Sequence, residues 1–483
     1  MRKSSVETEP RLPIKIDSTS NGEYWPRPVE PRLASAITDA TEQALRNADA
    51  LGMSRRDYLR STCAAATTLL AINQVGCNGG RYNVPSEAPK EQAAADHVLA
   101  SDDLIIDVQT HHVSSDRVIA RDDAPDILDW LKKLPTEHCP GATSVQACYS
   151  EDIFAKEIFL DSDTGVAVLS ALWGNPSPTS VEEAARTRER IAAMGRPRLR
   201  IHGVVQPNDG PFEAVRDRMH ALASEWKIDA WKLYPVWGPK GVGFRLDDEL
   251  GRKTIESGLA AGITRFAVHK GLPLAGMDPK YTRPQDVGVV ARAYPQATFL
   301  IYHSGYESDR REGPYNPKAD RGIDALIRSL ADNGIGKTGN VYAELGGTWR
   351  EVMKRPDEAA HVLGKLMAHL GEDRILWGTD AIWYGSPQDQ IQAFRAFEIT
   401  AEFQEQFGYL ALTPARKRKV FAANAAQVYG IDVGEIKRTH KTDAMSRARA
   451  EYSNDPAPSH RTYGPRTRRD MLSLLRWNGG RPD

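Results

Sequence analysis

Residues 107–113 read DVQTHHV and follow the apolar run Leu104-Ile105-Ile106, so a buried strand finishes in Gln109, His111 and His112, side chains able to hold a metal ion or a proton. Other apolar runs finish alike, with Lys232 in KLYP, His269 in HKG, His303 in YHSG, Glu344 in YAEL and Asp380 in WGTD. Imidazole and carboxylate together suit a borderline divalent ion such as zinc, and a catalytic site wants about three protein ligands with one position left open. His111, His269 and Asp380 supply such a set. A water on such an ion loses its proton near neutral pH, which makes a nucleophile without serine or cysteine. His303 then serves proton transfer or polarises the substrate, and Asp380 is placed to take the water's proton as well as to touch the ion. Taken singly, each His or Asp is more often a satisfied polar group than a ligand. Together they point to metal-dependent chemistry.

Those residues must be brought together by the elements that carry them. Apolar runs lie at 104–108, 166–172, 198–206, 228–234, 265–269, 298–303, 341–345 and 374–380, which makes eight expected strands. Between them, 181–194, 212–226, 247–262, 324–333 and 356–370 read as amphipathic helices. This alternation specifies parallel strands with helical crossovers, and the expected fold is an α/β (β/α)8 TIM barrel over 101–432. An open doubly wound sheet is the runner-up, but it would show a glycine-rich phosphate turn after the first strand, where this chain has histidines. Barrel enzymes carry their chemistry at the C-terminal ends of the strands, which is where the residues above fall. Alternation along the first strand puts Gln109 and His111 on one face and turns Thr110 and His112 away.

Tyr234, Trp237, Trp349 and Trp383 fall just after strand ends and would wall the mouth for a flat or aromatic small-molecule substrate. The glycine-rich stretch 236–249 reads as a loop over the site. Lys232 has three readings: contact with a substrate carboxylate, a stem snorkelling to water, or a modified bridge between two metals. Glu344 either orients a histidine or pairs with Lys232.

At DVQTH (107–111), KLYP (232–235), HKG (269–271), YHSG (302–305), WGTD (377–380) and FAANAAQVYG (421–430) the chain resembles the amidohydrolase superfamily, within it the branch that includes aminocarboxymuconate-semialdehyde and resorcylate-type decarboxylases. The resemblance covers about 101–432. It implies that His111 and His269 bind metal, that Asp380 binds metal or acts as base, and that His303 is catalytic. One position departs from the pattern, because Gln109 stands where the superfamily has the first His of His-x-His. A neutral amide oxygen is a weak zinc ligand, so Gln109 holds the ion loosely, favours a harder ion such as manganese, or touches only substrate. One divalent ion is expected, zinc before manganese, and a two-metal site is disfavoured. The expected activity is hydrolysis of an amide, lactone or related bond. The alternatives are decarboxylation of an aromatic or unsaturated acid and a binding protein built on a decayed site.

The flanks are read separately. SRRDYLR (54–60) followed by CAAATTLLAI resembles a twin-arginine export signal, which implies the export machinery as partner and a periplasmic location. The opposing reading is an ordinary helix in a cytoplasmic protein. Residues 1–100 show no sustained periodicity and are expected outside the core, as leader and linker. Cys77 stands near a possible cleavage site, but Gln74 occupies the place where a lipoprotein signal wants Leu. Cys139 and Cys148 leave a single disulfide open. Residues 433–483 form a basic extension, read as a solvated arm or as a contact between subunits of a homo-oligomer, with MLSLLRW packing on a barrel or a neighbour. A net charge of −1 and the absence of a sustained basic run argue against nucleic acid as partner.

Overall fold

A computed structural model describes residues 11–114, 149–174, 177–274, 277–458, 460, 462 and 464–477. Cys139, Cys148 and residues 115–148 of the connection between the first two barrel strands lie outside these residues.

The barrel strands are β1 (Ile105–Thr110), β2 (Thr164–Ser170), β3 (Leu199–Val205), β4 (Ala230–Leu233), β5 (Arg265–His269), β6 (Thr298–Tyr302), β7 (Val341–Glu344) and β8 (Ile375–Leu376). All seven neighbouring pairs are parallel and follow chain order. The circle closes where Val108 N donates to Trp377 O (3.0 Å) and Asp380 N donates to Gln109 O (2.9 Å). The fold is therefore the (β/α)8 barrel read from the sequence. Helices Val181–Ala193, Phe212–Trp226, Glu249–Ala260, Gly322–Asp332 and Pro356–His369 cover it at the expected places.

Strands covered on both faces need apolar residues at both parities, and the core divides accordingly. Ile106, Val108, Val166, Val168, Ala267 and Leu300 fill the interior, together with Ala422, Ala425 and Tyr429 of the segment that closes one end. Trp231, Phe266, Val268, Phe299 and Ile301 face the helical layer. Strict alternation from Val108 would turn Gln109 away from the interior, yet its side chain reaches Asp380. The pairing of β1 with β2 shifts register between Asp107 and Thr110, and that irregularity re-aims the end of the strand.

The expectation that residues 1–100 lie outside the core is overturned for the described ones. Helices α1 (Pro31–Ala50), α2 (Arg55–Leu59), α3 (Thr62–Ile72) and α4 (Gln92–Leu99) fold against the barrel, and Gly80–Tyr82 pairs with Phe397–Ile399 as a small antiparallel sheet. Ile14, Ile16, Tyr24, Tyr58, Leu69 and Ile72 are all buried. The apolar surface they hide outweighs their weak periodicity. No helix among the described residues is long and apolar enough to cross a membrane.

The basic extension also packs on its own chain instead of projecting as a solvated arm. Asp443 caps helix Ala444–Tyr452 and pairs with buried Arg198 at 2.7 Å. Met471 is fully buried in the main core, and the Arg468 guanidinium lies over the Trp25 ring.

Candidate active site

Three histidines point one ring nitrogen into the barrel mouth because a backbone carbonyl holds the other. His111 Nδ1 donates to Ser170 O (3.1 Å), His269 Nε2 to Leu272 O (3.1 Å) and His303 Nδ1 to Gly346 O (2.7 Å). Such outer bonds set the tautomer and leave a lone pair inward. His303 Nε2 and His269 Nδ1 then face each other at 3.2 Å, two acceptors with no proton of their own between them. His111 Nε2 faces Asp380 Oδ1 at 3.4 Å in the same manner. Opposed lone pairs in a dry site call for a shared proton or a cation.

A carboxylate from outside the barrel joins them. Glu23 Oε1 lies 3.7 Å from His269 Nδ1 and its Oε2 lies 3.8 Å from His303 Nε2. These three residues offer ligand atoms that all lie within 4.8 Å of one another. The donor set, two imidazoles and one carboxylate, fits a divalent ion of the zinc or manganese kind. Asn21 ties this group to the other pair, its amide donating to Asp380 Oδ2 (2.9 Å) and to Glu23 Oε2 (2.8 Å). The expected ligand set is thus regrouped: His303, read as a proton carrier, stands with His269 at ligand distance, while His111 and Asp380 face each other.

Gln109 is not in that group. Its Nε2 donates to Asp380 Oδ1 at 2.9 Å, and its buried Oε1 finds no hydrogen-bond partner among the described residues. Glu344 resolves as an orienter. It accepts from the backbone N–H of His303 (3.1 Å) and of Gly346 (2.6 Å), and so fixes the turn that carries His303. Gly378 makes room for it, since a Cβ there would fall 1.6 Å from Glu344 Oε1. His303, Ser304 and Asp380 all have positive φ, at 64°, 53° and 60°, as does Leu272, which holds His269, at 36°. Left-handed backbone is costly for such residues and gathers where a site dictates geometry.

Lys232 is fully buried, and its Nζ has no hydrogen-bond partner among the described residues. It lies 3.8 Å from the Tyr302 ring centroid and 4.5 Å from that of Tyr234. Trp237 stacks on Tyr234 at 4.5 Å and Trp383 stacks on His111 at 5.7 Å, so both lie against residues of the candidate site. Trp349 does not. It is buried against Phe394 and Phe397 with its indole N–H on Gln390 O (2.9 Å), a core position. His112 turns into the helical layer, bonded to Thr187 at 2.8 Å. The loop after β4 is tied down, with Phe244 and Leu246 buried and Val242 exposed.

Burial dominates the electrostatics. It pulls His111 and His303 down to about 3 and holds His269 well below its ordinary range, with Lys232 adding to each. All three are neutral near pH 7, the form that ligates metal. Burial pushes the Asp380 carboxyl up to about 7, against the pull of Lys232 and of hydrogen bonds from Gln109, Asn21 and Trp383. The Lys232 ammonium is drawn down to about 7 by the same desolvation, which Glu23, Asp380 and Glu344 oppose.

Sequence reasoning missed Glu23 and Asn21 because nothing in the local string NGEYW marks a ligand, and their partners lie hundreds of residues away. Among the signals present, only the isolated carboxylate after Asn-Gly, a turn dipeptide, could have drawn notice.

No curated protein sequence matches the chain. Among solved structures, 5-carboxyvanillate decarboxylase from Sphingomonas paucimobilis is 12% identical, with a TM-score of 0.42 over 68% of this chain and 99% of that one. Dihydroxybenzoic acid decarboxylase from Polaromonas sp. JS666, with bound manganese, is 12% identical, with a TM-score of 0.40 over 69% and 99%. Dihydroorotase from Campylobacter jejuni is 14% identical, with a TM-score of 0.38 over 68% and 84%. The profile of the family described as Amidohydrolase matches residues 175–431, more than half of the chain, a span that holds Lys232, His269, His303, Glu344 and Asp380, and the chain therefore belongs to that family of enzymes.

Proposed function

We propose that the enzyme uses one divalent metal ion, zinc before manganese, to hydrolyse an amide, lactone or related bond in a small carboxylic acid. The observation that carries this reading is two pairs of opposed acceptors, His269 Nδ1 with His303 Nε2 at 3.2 Å and His111 Nε2 with Asp380 Oδ1 at 3.4 Å. A divalent ion held by such donors supplies Lewis-acid polarisation of an oxygen. The chain's own residues supply the rest. Asp380, held near pH 7 and hydrogen-bonded by Gln109 and Asn21, takes the proton of the attacking water. Lys232, the buried cation between two tyrosine rings, binds a substrate carboxylate, and Tyr234, Trp237 and Trp383 form the flat walls against which the substrate lies.

A second reading draws on Lys232 itself. An unpaired ammonium among aromatic faces also suits decarboxylation of an aromatic or unsaturated acid. The bond between the carboxyl carbon and the carbon that bears it then breaks with its electrons left on the latter, carbon dioxide departs, and Asp380 delivers a proton to the carbon that kept the electrons. A single experiment separates the two: the purified protein, supplied with zinc or manganese, is offered a panel of lactones, amides and hydroxybenzoates. Hydrolysis without carbon dioxide supports the first reading, carbon dioxide release the second. His269→Ala is expected to remove bound metal and activity together, and a variant that keeps stoichiometric metal overturns the assignment of His269 as a ligand.

Export through a twin-arginine route to the periplasm is a separate proposal, supported by Ser54-Arg55-Arg56 and the apolar run after it.

A further inference from the structure

The barrel brings imidazoles to its mouth, yet its first strand offers Gln109, whose amide is engaged by Asp380. The carboxylate that closes the site comes from a segment lying far ahead of β1. Residues 17–24 cross the mouth as a strap, and every anchor of that strap is polar and specific. Asp17 accepts from buried Arg350 (2.9 Å), and its carbonyl accepts from Lys354 (3.0 Å). The Tyr24 hydroxyl meets Glu351 and Tyr384, both at 3.0 Å. Between these anchors Asn21 folds back on itself, with Glu23 N donating to Asn21 Oδ1 (3.0 Å), and Gly22 takes φ 97°, a turn that aims Glu23 inward. The strap is clasped in turn by the C-terminal extension, where Ser20 N donates to Pro465 O (2.9 Å) and Thr19 bonds Thr462 (2.8 Å).

From this geometry we propose that Glu23 is a metal ligand of the site and that the strap carrying it is part of the active site, replacing the ligand that Gln109 does not provide. This rests on the metal-dependent reading above. Two observations carry it. Each carboxylate oxygen of Glu23 faces the free nitrogen of one histidine, at 3.7 and 3.8 Å, distances too long for hydrogen bonds and suited to a cation between. Glu23 is also oriented by Asn21, in the way that ligating carboxylates are held by an outer hydrogen bond.

The test titrates the metal-free full-length protein with zinc ion and, separately, with manganese ion, comparing wild type, Glu23→Gln, Glu23→Asp and His269→Ala. The expected result is an affinity loss of about tenfold or more for Glu23→Gln, partial recovery in Glu23→Asp, and a loss at least as large for His269→Ala. Unchanged affinity in Glu23→Gln beside a clear loss in His269→Ala overturns the ligand assignment alone. Unchanged affinity in both overturns the placement of the metal at this site, on which the reading above rests. Hydrogen exchange on the wild type gives a readout that a merely structural strap does not move: zinc is expected to slow exchange at residues 21–24. Should Glu23→Gln fail to fold, that measurement and Glu23→Asp decide, and no change in either refutes the proposal.

Discussion

Lys232 is the residue in this barrel with the most to gain from a ligand. A buried ammonium without a hydrogen-bond partner carries a desolvation cost that two tyrosine faces offset only in part. Lys232→Met is therefore expected to leave thermal stability unchanged or raised. It should also raise KM for a carboxylate substrate about tenfold or more, since a charge-assisted hydrogen bond contributes roughly 1.5–3 kcal/mol. Michaelis kinetics beside a thermal melt check both halves, and a lowered melting temperature with unchanged KM assigns Lys232 a structural role instead. This residue was legible in the sequence, as were His111, His269, His303 and Asp380, because a polar group that ends a buried apolar run is costly there unless it binds something. Glu23 was not legible. Its significance comes from a tertiary crossing that no local period encodes, and the partner that orients it, Asn21, reads as turn chemistry.

At the scale of elements, strands and crossover helices followed the hydrophobic pattern closely, whereas β1 needed an irregularity that alternation does not announce. The first hundred residues depart from expectation for a different reason. Helix α3 is alanine-rich and apolar on all sides, which is the texture of an export signal and equally that of a helix enclosed by protein. Cys63–Leu69 and Ala71–Ile72 are buried here, while Arg56 lies at the surface. An export apparatus that reads the arginine pair must therefore meet the chain before α3 packs, or draw α3 out. If the export proposal is right, replacing Arg55 and Arg56 together with Lys leaves the protein in the cytoplasm of its host. Equal periplasmic recovery of variant and wild type refutes it.

For the molecule as a whole, pH acts through groups buried away from the mouth. Glu157, on helix Glu151–Phe159, is buried with one carboxyl oxygen lacking a hydrogen-bond partner among the described residues. Burial pushes its carboxyl up to about 8 from an ordinary 4.5, against the pull of Lys156. A raised folded-state value means that its contribution to stability is whole below 4.5 and is lost as pH rises through about 8. Glu157→Gln cannot ionise, so its melting temperature relative to wild type is expected to climb between about pH 5 and about pH 9. A constant difference across that range excludes Glu157 as the source.

The clasp on the strap has a consequence in time. Thr462, which bonds Thr19, lies 443 residues further along the chain. During synthesis the strap leaves the ribosome early and its clasp late, at roughly 5–20 residues per second, an interval of about 20–90 s. His303 and Asp380 are made within that interval, and from Asp380 onward the site's residues are all present while the strap still lacks its clasp. If Glu23 is a ligand as proposed, a nascent chain is a weaker binder of metal than the finished one, and full loading waits until translation has passed the clasp.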